Sequence, residues 1–348
     1  MSSTRLNLLL EEQGIRVPEA GDVVILRAAS GGDYAALPKD RLLCVNGFRV
    51  AYDALARRGY RVAEKAPDAA GLVLVQLTRS KAENLGLVAR AMTMLPTGGQ
   101  VIVDGAKTDG VESLLKSMRK VLPVGEVISK AHGKIFAATR PETLPDAMSA
   151  WARDAEIRPQ EHGYSAGPGM FSPEKVDPGS ALLAAHFSPA ITGSVADLGA
   201  GWGWLSSQLL DRAAPVQLDL FEAELSALTA ARQNITDPRA RFHWADVTDL
   251  PDGAYDAIIA NPPFHQGRQA EPGLGLSFIA AAQTLLAPSG GLWLVANRQL
   301  PYESALDQAF QRVERLEETP HFKVFHATRP KSGVGSKKIR RTKRSGRS

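Results

Sequence analysis

Tyr255-Asp256-Ala257-Ile258-Ile259-Ala260-Asn261-Pro262-Pro263-Phe264 is the stretch that decides the fold. Its apolar run reads as a buried strand. Two consecutive prolines stop that strand, because each lacks a backbone N–H and has a fixed φ. The chain stiffens there into a loop at the strand's carboxyl end, where open α/β sheets put their ligand sites. The loop offers one amide, Asn261, and one aromatic ring, Phe264. That combination suits a flat substrate bearing an NH2 group.

Working outward, the same succession occurs earlier in the chain. Leu72-Val-Leu-Val-Gln76 reads as a strand like 256–260. A helical pattern follows each strand and ends in Leu95-Pro96-Thr97-Gly98-Gly99 or Ala287-Pro288-Ser289-Gly290-Gly291. Strands come next, Gln100-Val-Ile-Val103 and Leu292-Trp-Leu-Val295, and then helices containing 111–115 and 302–306. Both copies finish on Lys134-Ile-Phe-Ala-Ala-Thr-Arg-Pro141 and Lys323-Val-Phe-His-Ala-Thr-Arg-Pro330. Four matches in one order, offset by roughly 190 residues, indicate duplication of a whole domain and not a solenoid repeat. Short apolar strands alternating with helical patterns predict an α/β fold, two tandem domains each with a mainly parallel sheet. The expected boundaries are 1–150 for the first domain, 151–168 for a proline-bearing linker, 169–330 for the second domain and 331–348 for a tail. Met148, Ala150 and Trp151 predict a short helix near the linker.

The copies diverge where chemistry is expected. In place of Asn261-Pro-Pro-Phe the first half has Gln76-Leu77-Thr78-Arg79, and its nearest candidate for a glycine turn after an early strand is Cys44-Val45-Asn46-Gly47. The first domain is therefore read as degenerate, having lost its site. It serves substrate binding, folding or an interface, or stands as scaffold alone.

The second half has such a turn. Ser194-Val-Ala-Asp197-Leu198 runs into Gly199-Ala200-Gly201-Trp202-Gly203, and a helix pattern follows from Trp204. Glycines at a strand-to-helix turn let a ligand approach the backbone. The next strand, Val216–Phe221, ends in Glu222, about 20 residues on, where an acid binds ribose hydroxyls. Phe242-His-Trp-Ala245 then leads to Asp246 at the end of a third strand. A nicotinamide dinucleotide asks for glycine where Trp204 stands, and Trp202 is expected to crowd a pyrophosphate cradle. S-adenosylmethionine, which has no phosphate, avoids both conflicts.

An exocyclic amine on a nucleobase is a poor nucleophile, because its lone pair is delocalised into the ring. Asn261 Oδ1 and the Pro262 carbonyl are two acceptors for its two N–H groups, and Phe264 is a ring for stacking. Catalysis of this kind rests on orientation and electrostatics, with no metal, and the sequence has no Cys/His ligand spacing. His265 next to this loop and Arg268 beyond it are candidates for contact with the substrate and its phosphate; each reads equally as an ordinary loop residue. Adenine N6 and a protein glutamine amide present the same NH2 geometry and stay open. So does an RNA-binding assembly factor without catalysis.

Bulk composition bounds the class. The chain has 348 residues, 44% hydrophobic and 22% charged, which is ordinary for globular domains. One cysteine, Cys44, leaves no disulfide framework and fits a reducing, cytoplasmic compartment. No signal peptide is expected from Met1–Leu8, and no apolar run reaches membrane-spanning length. The formal charge of +4 is uneven, since residues 331–348 hold eight Lys or Arg and no acid, leaving about −4 for the rest. Glycines and serines make this arm flexible, and it reads either as a contact for a polyanion or as a solubilising tail.

Asp197-Leu-Gly-Ala-Gly-Trp-Gly203 together with Asn261-Pro-Pro-Phe-His-x-Gly267 resembles the bacterial ribosomal RNA guanine-N2 methyltransferases. Further words of that resemblance are Gly169-Met-Phe171-Ser, Asp177-Pro-Gly179-Ser180, Ala296-Asn297-Arg-Gln-Leu300-Pro301-Tyr302 and Phe322-Lys323-Val324. It covers about 165–330 strongly and 1–150 faintly; the basic tail departs from it. The resemblance implies two tandem Rossmann-like class I methyltransferase domains, the N-terminal one degenerate. It implies S-adenosylmethionine as donor, and guanine N2 of ribosomal RNA as acceptor, with 16S rRNA of the small subunit as the first choice and a large-subunit guanine as the alternative. Structured ribosomal RNA or an assembled ribosomal subunit is the implied partner, with no membrane and with oligomeric state open. It implies catalytic roles for Asn261, Pro262 and Phe264. Phe171, Asp177, Gly179, Asp197, Gly199, Gly201, Glu222 and Asp246 are expected at the cofactor, and Pro263, His265 and Arg268 at the substrate.

Overall fold

A computed structural model describes residues 4–12, 15, 17–251, 253–263 and 272–331 of the chain. It contains two seven-stranded sheets and a two-stranded hairpin. The first sheet is built from β1 (Val23–Leu26), β2 (Leu42–Val45), β3 (Arg61–Ala63), β4 (Leu72–Gln76), β5 (Gln100–Ala106), β6 (Val124–Lys130) and β7 (Gly133–Thr139). The hairpin is β8 (Arg158–Pro159) and β9 (Ser165–Ala166). The second sheet uses β10 (Thr192–Leu198), β11 (Ala214–Glu222), β12 (Ala240–Trp244), β13 (Tyr255–Ala260), β14 (Leu286–Asn297), β15 (Phe310–Glu318) and β16 (Phe322–Pro330). The helices are α1 (Arg5–Glu12), α2 (Arg49–Arg57), α3 (Lys81–Met94), α4 (Val111–Met118) and α5 (Asp146–Asp154), then α6 (Pro178–Ala184), α7 (Trp204–Arg212), α8 (Leu225–Asn234), α9 (Pro272–Leu285) and α10 (Glu303–Ala309).

The strand orders are β3-β2-β1-β4-β5-β7-β6 and β12-β11-β10-β13-β14-β16-β15. They are the same order, strand for strand, so the duplication extends to topology. In the first sheet β3, β2, β1, β4 and β5 pair in parallel, and β7 and β6 close it antiparallel. Parallel sheets are covered on both faces, and the strands carry the signature of that burial. Val24, Val73, Val75 and Val103 enter one core, while Val23, Ile25, Leu74 and Ile102, alternating with them, enter another. Each fully buried side chain of this kind contributes roughly 1.5–3 kcal/mol over an exposed one. α3 starts where Ser80 Oγ accepts the Glu83 N–H at 3.3 Å, a side-chain cap that satisfies one orphan donor. The helix expected near Met148 and Trp151 is α5, and Met148 sits in the core beside α3 residues.

The chain forms two compact units, Met1–Asp177 with Ala200–Ser207 and Leu220–Asp246, and Pro178–Gly199 with Gln208–Asp219 and Val247–Ser348. They are called unit 1 and unit 2 below. In unit 2, the Ala287–Gly291 stretch expected to end a helical pattern belongs to β14, because pairing with β13 begins at Tyr255↔Leu286 and resumes, after a shift, at Ala257↔Gly291. The proline and glycines are accommodated as an irregularity in the strand. Among the described residues no helix is long and apolar enough to cross a membrane. The tail from 332, with Phe264, His265 and Arg268, lies outside the described residues.

Candidate functional site

In unit 2, β10 and β13 run in parallel with Asp197↔Ile259 and Leu198↔Ala260 in register. Gly199 and Asn261 are therefore the first residues past two adjacent strands, at the carboxyl edge of the sheet. The turn begins with Gly199 at φ +75°, and a Cβ there would come within 3.0 Å of the Phe278 ring. Glycine is needed for both reasons. Asp197, just before it, is buried.

Asn261 is half-buried, and its Nδ2 donates to Ser180 Oγ at 2.7 Å. Ser180 lies in the first turn of α6, next to the buried Gly179. With the amide nitrogen committed to Ser180, the carboxamide presents Oδ1 as its acceptor side. Pro262 is buried and Pro263 exposed. Ser180 stood in the sequence only as part of the Asp177-Pro-Gly179-Ser180 word; nothing in its spacing announced a partner 81 residues away.

In unit 1, Gly201 takes φ +56°, and a Cβ on it would meet nothing within 4 Å. Its N–H donates to Glu222 Oε2 at 2.8 Å, while the Glu224 N–H donates to Oε1 at 2.7 Å. Burial pushes the Glu222 carboxyl above the usual carboxylate range, and the N–H bonds from Glu224 and Gly201 oppose that rise. The Glu222 carbonyl accepts from Ala245 N–H at 3.0 Å, which brings half-buried Asp246 to the end of this turn.

The tryptophan expected to crowd the glycine turn does not do so. Trp202 is 5% exposed, stacks on His162 with centroids 4.9 Å apart, and donates its indole N–H to the Phe171 carbonyl at 2.9 Å. The sequence shows a large ring in the loop; only the fold shows a cluster, with Ala166 and Met170, to receive it. Phe171 is 53% exposed, and Asp177 is half-buried ahead of α6.

These features fit S-adenosylmethionine. The turn at Gly201 leaves the space that a side chain would take. The adjoining Glu222 carboxylate is an acceptor-only group held at the end of its strand by backbone N–H bonds to both oxygens, the chemistry that ribose hydroxyls ask for. Trp204 opens α7 where a nicotinamide-dinucleotide turn asks for glycine.

The corresponding places in the first half are filled. β1 is the counterpart of β10, so the true counterpart of the glycine turn starts at Arg27, and Asn46-Gly47 corresponds to Glu222-Ala223 instead. Gln76, at the end of β4, is engaged by Tyr34 Oη and accepts the Ala29 N–H at 2.6 Å.

The family model of the methyltransferase small domain matches residues 163–326. A ribosomal RNA small subunit methyltransferase C from Idiomarina loihiensis is 28% identical over 94% of this chain and 99% of its own. The protein of the same name from Sodalis glossinidius is 32% identical over 72% of this chain and 71% of its own. Among solved structures, the Thermus thermophilus 16S rRNA N2 G1207 methyltransferase (RsmC), in complex with AdoMet and guanosine, has the same fold. Its TM-score is 0.76 at 24% identity, over 90% of each chain.

Proposed function

Because the chain belongs to the ribosomal RNA small subunit methyltransferase C family, we propose that it methylates the exocyclic N2 amine of a guanine in 16S ribosomal RNA, with S-adenosylmethionine as donor. The observation that carries this reading is the oriented carboxamide. Asn261 follows β13, beside the strand that leads into the glycine turn, and Ser180 holds its Nδ2.

When bound, S-adenosylmethionine supplies an electrophilic methyl group on its sulfonium. Asn261 Oδ1 accepts one N–H of the guanine amine and the Pro262 carbonyl accepts the other. Two acceptors on one NH2 draw its lone pair out of the ring plane, which makes nitrogen a better nucleophile. As positive charge develops on that nitrogen the same two oxygens stabilise it, and the surplus proton leaves afterwards to water without a strong base. Phe264 stacks on the base, with Pro263, His265 and Arg268 as further substrate contacts. Glu222 takes the ribose hydroxyls, and Gly199 and Gly201 allow close backbone approach. Asp197 and Asp246 belong to the same cofactor set, as do Phe171, Asp177 and Gly179. Assembled small subunits or structured rRNA in the cytoplasm are the substrate.

Incubation of purified small subunits from cells lacking this protein with labelled S-adenosylmethionine tests the proposal, followed by mass-spectrometric mapping of the modified nucleoside. N2-methylguanosine in 16S rRNA is expected. A label in large-subunit RNA, on adenine N6 or on protein overturns it, as does tight RNA binding with no transfer. Asn261→Ala is expected to lower the rate by about 100-fold or more, with cofactor affinity retained.

A further inference from the structure

Within unit 1, the turn after β2 meets the turn after β11. Leu225 N–H donates to the Gly47 carbonyl and Arg49 N–H donates to the Ala223 carbonyl, both at 2.8 Å, around a bridge between Phe48 and Glu224. The two bonds exchange when 47 is swapped with 223 and 49 with 225, so the contact has the form of an internal two-fold. One side chain supports each turn from inside. Asn46 Nδ2 donates to the Ala28 carbonyl and its Oδ1 accepts the Phe48 N–H, both at 2.8 Å. Glu222 does the equivalent with Gly201 N–H and Glu224 N–H. Asn46 and Glu222 thus hold the same station in the two halves, one as an amide and one as an acid.

Three side chains lock the contact. Trp244 Nε1 donates to the Gly47 carbonyl at 3.0 Å and to the Ala223 carbonyl at 2.8 Å, with the Arg49 guanidinium 5.0 Å from its ring centroid. Arg27 leaves β1 where the second half has its glycine turn. It bonds Glu83 at 2.6 Å and Glu224 at 2.8 Å, with its own side chain only 21% exposed. The crevice of the first half therefore holds a cation clamped to the turn of the second.

We infer that Arg27 is a positioning residue for the cofactor acid: by pairing with Glu224 it fixes the 222–225 turn and so aims the Glu222 carboxylate. This rests on the reading that Glu222 binds the cofactor. Glu224 supplies an N–H that holds Glu222 Oε1, and its own carboxylate is a like charge that adds to the rise that burial gives the Glu222 pKa. Arg27 neutralises that charge. The other charged or titratable groups around the turn are Glu83, Glu64 and Arg90 in the crevice, Arg49 over Trp244, and His243 and Asp246 on or after β12.

Arg27→Met removes the cation from Glu224 and leaves its carboxylate only the Ser226 hydroxyl, 3.1 Å away. Binding of S-adenosylmethionine to the full chain, followed by calorimetry from pH 5 to 8, is expected to weaken about tenfold at pH 7, with its acid midpoint moved upward. Turnover at saturating cofactor stays within about threefold, because a positioning residue for binding acts on KM more than on kcat. Arg27→Lys restores most of the affinity, and Glu224→Gln added to Arg27→Met returns the midpoint to its original place. Wild-type affinity and an unmoved midpoint in Arg27→Met overturn the inference. If that variant does not fold, Glu224→Gln alone decides: the midpoint falls if the inference holds, and an unmoved midpoint overturns it. Glu222→Gln separates the two levels. Should it bind cofactor as the wild type does, the cofactor reading of Glu222 fails; should it lose binding while the Arg27 and Glu224 variants behave as wild type, the positioning role alone fails.

Discussion

The two ends of the Asn261 amide are alike in shape and opposite in hydrogen bonding, since only the oxygen accepts an N–H. The Ser180 hydroxyl accepts from Nδ2 at 2.7 Å and so holds the amide in the orientation that the structure shows. Its removal lets the carboxamide rotate, at a cost of about one hydrogen bond, or roughly 1 kcal/mol. Ser180→Ala is therefore expected to lower kcat by about 5- to 10-fold while cofactor affinity holds. Single-turnover methyl transfer measures this directly, and an unchanged rate removes Ser180 from the mechanism. Asn261 itself was legible in the sequence, because Asn-Pro-Pro after an apolar run has a local meaning. Ser180 was not, because its partner is remote in the chain.

At the scale of the element, the turn between β10 and α7 depends on backbone conformations that side chains resist. Gly203 takes φ +88°, and a Cβ there would stand 2.9 Å from Ile235 Cδ1 and 3.1 Å from Ala231 Cβ. Strain and overlap act together, so Gly203→Ala is expected to destabilise the protein by about 1–3 kcal/mol. A urea titration reads this as a lower midpoint; an unshifted midpoint means that α8 gives way without cost. Most strands were legible, since β4 and β13 are short apolar runs that end in turn residues. β1 was missed as the partner of β10. It is only Val23–Leu26, and Arg27 follows it at φ +57° where its counterpart has glycine. The glycine signal had been replaced by a cation in a left-handed conformation, which no pattern of apolar residues announces.

At the scale of the whole molecule, charge is divided unevenly: residues 331–348 hold eight Lys or Arg and no acid, and the rest carries about −4. Lys331 is anchored, its N–H donating to the Ala309 carbonyl at 2.8 Å and its ammonium to Asp307. Truncation after Lys331 keeps this anchor and removes the remaining seven Lys or Arg of the tail. Affinity for small-subunit RNA is expected to fall, and the slope of log affinity against log salt to flatten by up to about 0.9 for each lost phosphate contact. Equal slopes with and without the tail assign it to solubility. The duplication belongs to this scale too: one strand order occurs twice, yet only one copy keeps a glycine turn and an Asn-Pro-Pro loop.

The sequence by itself determined the duplicated α/β architecture and the positions of the glycine turn and the Asn-Pro-Pro stop, because strand period, proline stops and glycine turns are local physics written in neighbouring residues. Only the tertiary structure decided what surrounds them: Trp202 buried against His162, Ser180 on Asn261, and Arg27 bridging Glu83 to Glu224. Those contacts join residues as far as 197 positions apart. Their stability comes from burial and pairing, which depend on where the folded chain puts each group and leave no periodic trace along it.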